Sequence, residues 1–577
     1  MPVESQDALV QMCPPMLGEI KQQIAQIVTR EHSAEAAGEL SFRPVPATAT
    51  GDIAIPVFGV ARKAGIDPKT LASSLAGHIR ALPGVAEVLA AGPYVNLSFD
   101  RAVFARRFIA DVAAGEATAL KPSGSRVLIE HTSINPNASP HVGRGRNAII
   151  GDTIARLHRF LGHHTEVHYY VNDIGKQIAL LVYACRGHED LQFNDLLDQY
   201  VAISQQAKDD PAVEQIAFDL LNQFEQGDAA VRDEFRRVVD LCVNGQVSIL
   251  GRLGITYDIF DRESNFLDDP RLQPVIEKLI DQGALITDEH GRQVIDLLQL
   301  GFTREEGRYV VLSRANGTSM YVARDLAYTI HKSEISAAAN LSVLGEDHRL
   351  YQEQLDLILR WCGFATPDVI YYSFVLLKQG KMSTRQGNVV LLSDFIDLAR
   401  DNAAARIRDA NPGLSDDEIR ELADTVAAGA VRYGILSVSP TKNVIFDLEE
   451  SLRFEGNTGP YLQYSCTRIA SILAKHGGAV PAVPASVPEL NASEWALIMA
   501  MTRLQDEVRT AASSRNPSSL CAYGFELARA FNRFYHDSDV LDAPAAERAM
   551  RLNICAATGT VLSACLDVLG MQVPRRM

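Results

Sequence analysis

Cysteine is sparse in this chain. Eight residues are scattered singly, none spaced as CxxC, which argues against a disulfide framework or a zinc knuckle and for reduced, buried thiols. No stretch of about 18 uncharged apolar residues occurs, so no transmembrane helix is expected. The opening MPVESQDALVQMCPPM lacks the basic-then-apolar layout of a signal peptide. A cytoplasmic protein that makes no use of a membrane is the expectation. Positive charge is also short: 55 Lys and Arg against 71 Asp and Glu leave a net charge of −16, with a pI near 5.4. Taken alone, this balance argues against a general nucleic-acid binder. A large enzyme can nevertheless grip nucleic acid with local patches on an acidic surface, so motifs must decide. GxGxxG and GxxxxGK[ST] are both missing, which withdraws support from ordinary dinucleotide and P-loop readings. Internal repeats and low-complexity tracts are absent as well.

What is present is ample core material, 47% hydrophobic and 22% charged residues over 577 positions. Those are the proportions of a soluble globular protein of about three or four domains, at roughly 150 residues each. Residues 1–120 read as a small α/β unit, with strand patterns GDIAIPVF and AGPYVNLSF flanking the helical ARKAGIDPKTLASSLAGHIRAL. KPSGS then reads as a linker. Residues 121–392 alternate strands and helices: RVLIEHTS, a helix from about His141 to Leu161, TEVHYYVND, and a helix from Gly175. That succession predicts a Rossmann-like, doubly wound parallel sheet. A helical, acidic insertion is expected at about 185–253, with strands resuming at ITYDIF, RYVVLS, LSVLGED and VIYYSFVLL. Residues 393–577 are patterned almost wholly as helices and predict an α-helical bundle.

SINPNASPHVGRGRNAIIGD follows the first strand of the sheet and precedes an apolar helix, placing His141 and Gly143 at a strand-to-helix turn. Such a turn suits phosphate: the helix N-terminus offers unpaired N–H groups and partial positive charge, and glycine lets an anion approach the backbone. Standing alone, the segment is more often a Pro- and Asn-rich turn with an incidental histidine. Some 240 residues later, KMSTR at 381–385 follows another strand between Gly380 and Gly387. A lysine in a glycine-flanked loop is by itself usually a solvated charge. Two such segments in this order, each at the end of a strand, are far more specific together.

The first segment resembles the HIGH signature of class I aminoacyl-tRNA synthetases, and the second resembles KMSKS. Over nearly its whole length the chain resembles the arginyl-tRNA synthetase family, through EHTSINPNASPHVG, RNAIIGD, YYVNDIGKQI, GTSMYVARDLAY, LGEDH, KMSTRQGN, FEGNTGPYLQY and ELARAFNRFYHD. The resemblance implies an arginine–tRNA ligase. It would activate L-arginine by carboxylate attack on ATP, release pyrophosphate, and pass the aminoacyl group to tRNA(Arg). Mg²⁺ would accompany the nucleotide without a protein cage. His141, Gly143, His348, Lys381, Met382, Ser383 and Arg385 are implied for ATP, with His141 and Lys381 catalytic. Glu130, Ser133, Asn135, Glu263, Tyr321, Asp325 and His348 are implied for arginine, whose guanidinium calls for carboxylates. Asn457, Tyr461, Asn532 and Tyr535 are implied for tRNA, and the N-terminal unit for the tRNA elbow. A monomer is expected.

The signatures depart from the family pattern in two places. Arg144 stands where the first has its second histidine, and Thr384 where the second has its last lysine. The stretch NPNASP carries no compensating lysine. Arg144 is therefore expected to supply the missing positive charge and to be catalytic. A paralogue that activates arginine for an acceptor other than tRNA is the alternative.

Overall fold

The computed structural model describes residues 15–46, 49–137, 139–188, 190–315, 320–336, 339–377 and 390–575. Its centre is a five-stranded sheet of β1 (Arg126–Glu130), β2 (His164–Val171), β3 (Ile259–Arg262), β4 (Ala339–Gly345) and β5 (Asp368–Tyr372), in the order β5-β4-β1-β2-β3. All neighbours run parallel, as strands joined through helical crossovers must.

Strand alternation gives the sheet two unlike faces. Val127, Ile129, Val167, Leu341 and Val343 share one apolar cluster with Ile149, Ile150 and Ile154 of α1 (Val142–Phe160). The register sets Glu130 beside both His168 and Ser342, and Tyr170 beside Asp261. This polar face is covered by α2 (Tyr321–Ile335), whose Lys332 reaches Glu130 and whose Tyr328 reaches Asp261. Helix α1 lies close against the sheet because Gly151 has no side chain; a Cβ there would stand 2.2 Å from the His131 ring.

Among the described residues, the segment between β2 and β3 forms four helices, Lys176–Ala184, Asp195–Asp209, Pro211–Glu225 and Ala229–Gly251, around a shared apolar cluster. The N-terminal unit is a four-stranded antiparallel sheet with helices. Its expected long helix is broken into Phe58–Ala64 and Pro68–Ile79. The break falls at Gly65, which takes a left-handed φ of 68° and ends the first helix, while Asp67 and Pro68 start the second.

Two strand expectations need correction. RYVVLS (Tyr309–Ser313) is not part of the main sheet but pairs antiparallel with Gln293–Asp296, which pairs in turn with Leu285–Thr287. VIYYSFVLL is not one strand either: β5 stops at Tyr372, and Val375–Leu377 pairs with Val444–Phe446 from the C-terminal half. The interruption has a physical cause in Arg146, a fully buried residue of α1. Its guanidinium donates to the carbonyls of Ser373 (2.7 Å) and Phe374 (3.1 Å), and to those of Ser439, Pro440 and Lys442. Carbonyls drawn to one cation cannot continue a ladder.

Beyond residue 390 the chain is a helical bundle, with reciprocal capping boxes at Ser415/Glu418 and Asn491/Glu494. Its helix Ala545–Val568 has the length and apolarity of a membrane span, but most of it is buried inside the bundle. The N-terminal unit docks on this bundle: Trp495 Nε1 donates to Asp52 Oδ1 at 2.6 Å, and Lys21 pairs with Asp506 at 2.6 Å. Arg432 joins bundle to sheet. Fully buried, it donates to Asp152 of α1 (2.7 Å) and to the carbonyls of Leu253 and Leu569.

Candidate functional site

Ligands of a doubly wound sheet bind beyond the carboxyl ends of its strands, and the implied residues gather there. After β1 the backbone is strained: Thr132 and Ser133 take left-handed φ values of 78° and 44°, a conformation that costs energy for residues with side chains. Asn147 of α1 holds this turn. Its Oδ1 accepts from the Thr132 N–H, and its Nδ2 donates to the Val343 carbonyl at 2.8 Å. The strained loop ends at Pro140, and α1 begins with His141 as its N-cap, without a side-chain cap.

Gly143 matters for what it lacks. A Cβ there would stand 3.0 Å from the His141 ring, so only glycine lets the imidazole fold over the first turn of α1. Burial and the neighbouring Arg144 lower the pKa of His141, keeping the ring neutral and able to donate one hydrogen bond while accepting another. Arg144, on the same turn, acts on Tyr372 at the end of β5 and lowers that phenol's pKa, against the larger upward push of burial. The turn thus places an uncapped helix N-terminus, a neutral imidazole and a guanidinium side by side, which fits a polyphosphate. His348 follows β4 at the head of the Arg349–Trp361 helix, partly exposed. Lys381, Met382, Ser383 and Arg385 lie outside the described residues.

Three carboxylates stand at the same edge. Glu130 ends β1, buried, paired with Lys332 and accepting from Ser133 Oγ and Ser342 Oγ, each at 3.3 Å. Glu263 follows β3, buried, and takes the Arg324 guanidinium at 2.6 Å; turned to satisfy its own polar atoms, the Asn172 amide donates to its other oxygen at 2.9 Å. Asp325 on α2 accepts from two phenols, Tyr170 at 3.2 Å and Tyr351 at 2.5 Å. Burial pushes the Asp325 carboxyl up to about 6, and the charge of Glu130 adds to the rise. Burial, with a contribution from Asp325, likewise pushes Glu263 up to about 8 despite its guanidinium partner.

Of the other residues implied for the amino acid, Ser133 touches Glu130. Tyr321 is half exposed at the start of α2 and packs its ring against Tyr351. Asn135 is exposed, and its carbonyl accepts from Gln246 at 3.0 Å. Sequence reasoning missed the residues that hold these groups in place. Tyr170 and Arg324 lie inside the quoted YYVND and YVARDLAY, but Tyr351 and Lys332 carry no signal of their own.

In the bundle, a cavity of about 860 Å³ is lined by Tyr461, Asn532 and Tyr535 together with Arg406, Tyr464 and Arg468. Its polar groups are linked in series. Asn532 donates to the Tyr461 hydroxyl at 2.7 Å and accepts from Arg468 at 3.2 Å, and Arg468 lies 4.4 Å above the Tyr535 ring. Asn457 does not line it; its amide oxygen accepts from the Tyr433 hydroxyl.

Residues 112–448 match the family model of the class I tRNA synthetase (R) catalytic domain. Residues 462–577 match the DALR anticodon binding domain, and residues 18–99 the arginyl tRNA synthetase N terminal domain. The arginine–tRNA ligase of Methanocella arvoryzae is 34% identical over 531 residues, covering 90% of this chain and 92% of that protein. That of Methanosarcina acetivorans is 36% identical over 522 residues, covering 89% and 91%. Among solved structures, the arginyl-tRNA synthetase of Thermus thermophilus superposes with a TM-score of 0.81 at 26% identity, covering 97% of this chain and 99% of that one. A catalytic domain matched over more than half the chain, with relatives of this identity along nine-tenths of it, places the chain in the class I arginyl-tRNA synthetase family.

Proposed function

We propose that this chain joins L-arginine to the 3′ end of tRNA(Arg) at the expense of ATP, and that the edge of the parallel sheet around α1 carries both steps. The observation that supports this most strongly is Asp325, a partly buried carboxylate held by two phenolic hydroxyls at the carboxyl end of the sheet, where α1 also opens without a side-chain cap. A guanidinium is the ligand such a carboxylate is short of. Glu130 and Glu263, each already holding a cation of the chain itself, are balanced within the chain and set the position of α2.

ATP binds with its phosphates toward the first turn of α1, where His141 donates to a phosphate oxygen and Gly143 admits it to the backbone. Mg²⁺ bound to the phosphates would supply charge neutralisation there, without a set of protein ligands of its own. The substrate carboxylate attacks the α-phosphorus, and pyrophosphate leaves. The protein supplies alignment and positive charge rather than a covalent intermediate. Lys381 and Arg385 belong to the same task, and Arg144 takes the place of the absent histidine. Transfer to the terminal adenosine of tRNA follows, with the bundle cavity around Tyr461, Asn532 and Tyr535 receiving splayed bases by stacking and hydrogen bonds.

The test is arginine-dependent exchange of pyrophosphate into ATP, with and without tRNA(Arg), beside charging of that tRNA. Exchange together with charging is expected. Exchange without charging would instead mean an acceptor other than tRNA. Arg144→Ala should lower the exchange rate by about 100-fold, the cost of one preorganised donor, while leaving thermal stability within a few degrees. Equal mild effects on both would remove Arg144 from the chemistry.

A further inference from the structure

The polar face of the sheet holds a histidine that the reaction above does not use. His168 is buried in the middle of β2, with 1% of its surface exposed, and both of its ring nitrogens face carboxylates. Nδ1 lies 2.6 Å from Asp261 Oδ2 on β3, and Nε2 lies 2.8 Å from Glu166 Oε1 on its own strand. A neutral imidazole has one donor nitrogen and one acceptor, so only the imidazolium satisfies two carboxylates at once. The two carboxylates raise its pKa even though burial opposes the charge.

From His168 a chain of contacts leads to Asp325. Asp261 Oδ2 also accepts from the Tyr328 hydroxyl of α2 at 3.0 Å. The Tyr328 ring stacks on Tyr170, with centroids 4.3 Å apart and planes 16° from parallel. The Tyr170 hydroxyl donates to Asp325. The remaining charged and titratable groups on this face are fixed as well. Glu130 lies beside His168 in the register and holds Lys332, which lies 4.6 Å above the Tyr328 ring. His331 on α2 acts on Asp261, and Arg126 pairs with Glu166 at 3.4 Å.

We propose that His168, acting through Asp261 and Tyr328, is a positioning residue that fixes the Asp325 carboxylate for the guanidinium of the amino-acid substrate. The proposal rests on Asp325 as the guanidinium partner. A histidine that has lost one proton can donate to only one of its two carboxylates, and one that has lost its ring to neither, so the hold on Asp261 is weakened or removed. Tyr328 then loses its anchor and Tyr170 its stacking support, so Asp325 keeps its charge but loses its aim. Misplacement of a binding group by a fraction of an ångström is costly in a preorganised site. Arginine recognition should suffer, and ATP recognition should not.

The experiment is steady-state pyrophosphate exchange in the presence of tRNA(Arg) on full-length protein. His168→Gln, whose uncharged single amide nitrogen cannot stand in for two ring nitrogens facing separate carboxylates, should raise the KM for arginine about tenfold while the KM for ATP stays within about twofold. In the unmodified enzyme, kcat/KM for arginine should fall on the alkaline side, as the imidazolium loses its proton above its raised pKa; that limb should vanish in the variant. Tyr328→Phe keeps the stack and removes one hydroxyl. It should raise the arginine KM about threefold in a fully folded protein, and so decides the matter if His168→Gln does not fold. KM values for arginine and ATP that rise together, or neither rising, would overturn the proposal and leave His168 with a structural role. Asp325→Asn separates the two readings: if it leaves the arginine KM unchanged, both fall. If it raises that KM while His168→Gln and Tyr328→Phe do not, the relay alone falls.

Discussion

At the edge of the sheet the chain gives its own cations to two of three carboxylates, Lys332 to Glu130 and Arg324 to Glu263, while the hydrogen-bond partners of the Asp325 carboxylate among the described residues are two phenols. In the bundle cavity the polarity is reversed: Arg406 and Arg468 stand among Tyr461, Tyr464 and Tyr535, with Asn532 linking them. The difference fits the proposal that the one place holds a guanidinium and the other holds bases. A guanidinium needs a charge, and leaving a buried charge without its partner costs several kcal/mol, which makes the pocket selective. Bases need flat surfaces and neutral donors, and several moderate contacts replace one strong one. The pocket should therefore be sensitive to single substitutions and the cavity tolerant of them.

Asp325→Asn tests the sensitive side: kcat/KM for arginine should fall by at least about 100-fold, in line with the cost of truncating one partner of a buried pair, with the KM for ATP little changed. A loss below tenfold would erase the contrast. Arg432→Met asks whether the two regions are independent at all. It leaves Asp152 buried without its strongest partner and should cost about 3–5 kcal/mol, read as a lower denaturant midpoint with near-normal activity at low temperature. On the tolerant side, Tyr535→Ala should raise the KM for tRNA about tenfold, the worth of one base stack, without moving the KM for arginine. The smallest effect is graded by pH. Asp325 must be ionised to receive a guanidinium, and its pKa is raised to about 6. kcat/KM for arginine should therefore show an acid limb, falling as the pH drops through about 6, separate from the alkaline limb assigned to His168, whereas the KM for tRNA should show no such step. A flat profile down to pH 5 would mean that Asp325 is not the group receiving charge.

How much of this was legible beforehand depended on whether a feature is local in the chain. The parallel order of the sheet, α1 with His141 at its head, and the four-residue spacing of Tyr321 and Asp325 all follow from periodicity and motif, which act over neighbouring residues. The spacing did place Tyr321 and Asp325 on one helix, yet their surroundings diverge, one half exposed and the other partly buried between two phenols, because β2 and the Arg349–Trp361 helix decide what each meets. Lys332 and Arg324, the cations that occupy Glu130 and Glu263, read in the sequence as ordinary helix charges. Only the fold brings Lys332 to Glu130, 202 positions away. The break after Tyr372 was illegible for the same reason: nothing in VIYYSFVLL announces that Arg146, 227 residues earlier, will claim the Ser373 carbonyl.

Arg432 also sets an order in time. Its partner Asp152 is synthesised 280 residues earlier, an interval of roughly 15–55 s at about 5–20 residues per second. Until then the helix that opens at His141 has for that carboxylate only Arg156, one turn along the same helix. A buried charge in that state opposes packing, so the nascent catalytic half waits for the bundle before it sets. The buried charge of Asp152 is thus matched in full only once the part of the bundle that carries Arg432 has been made.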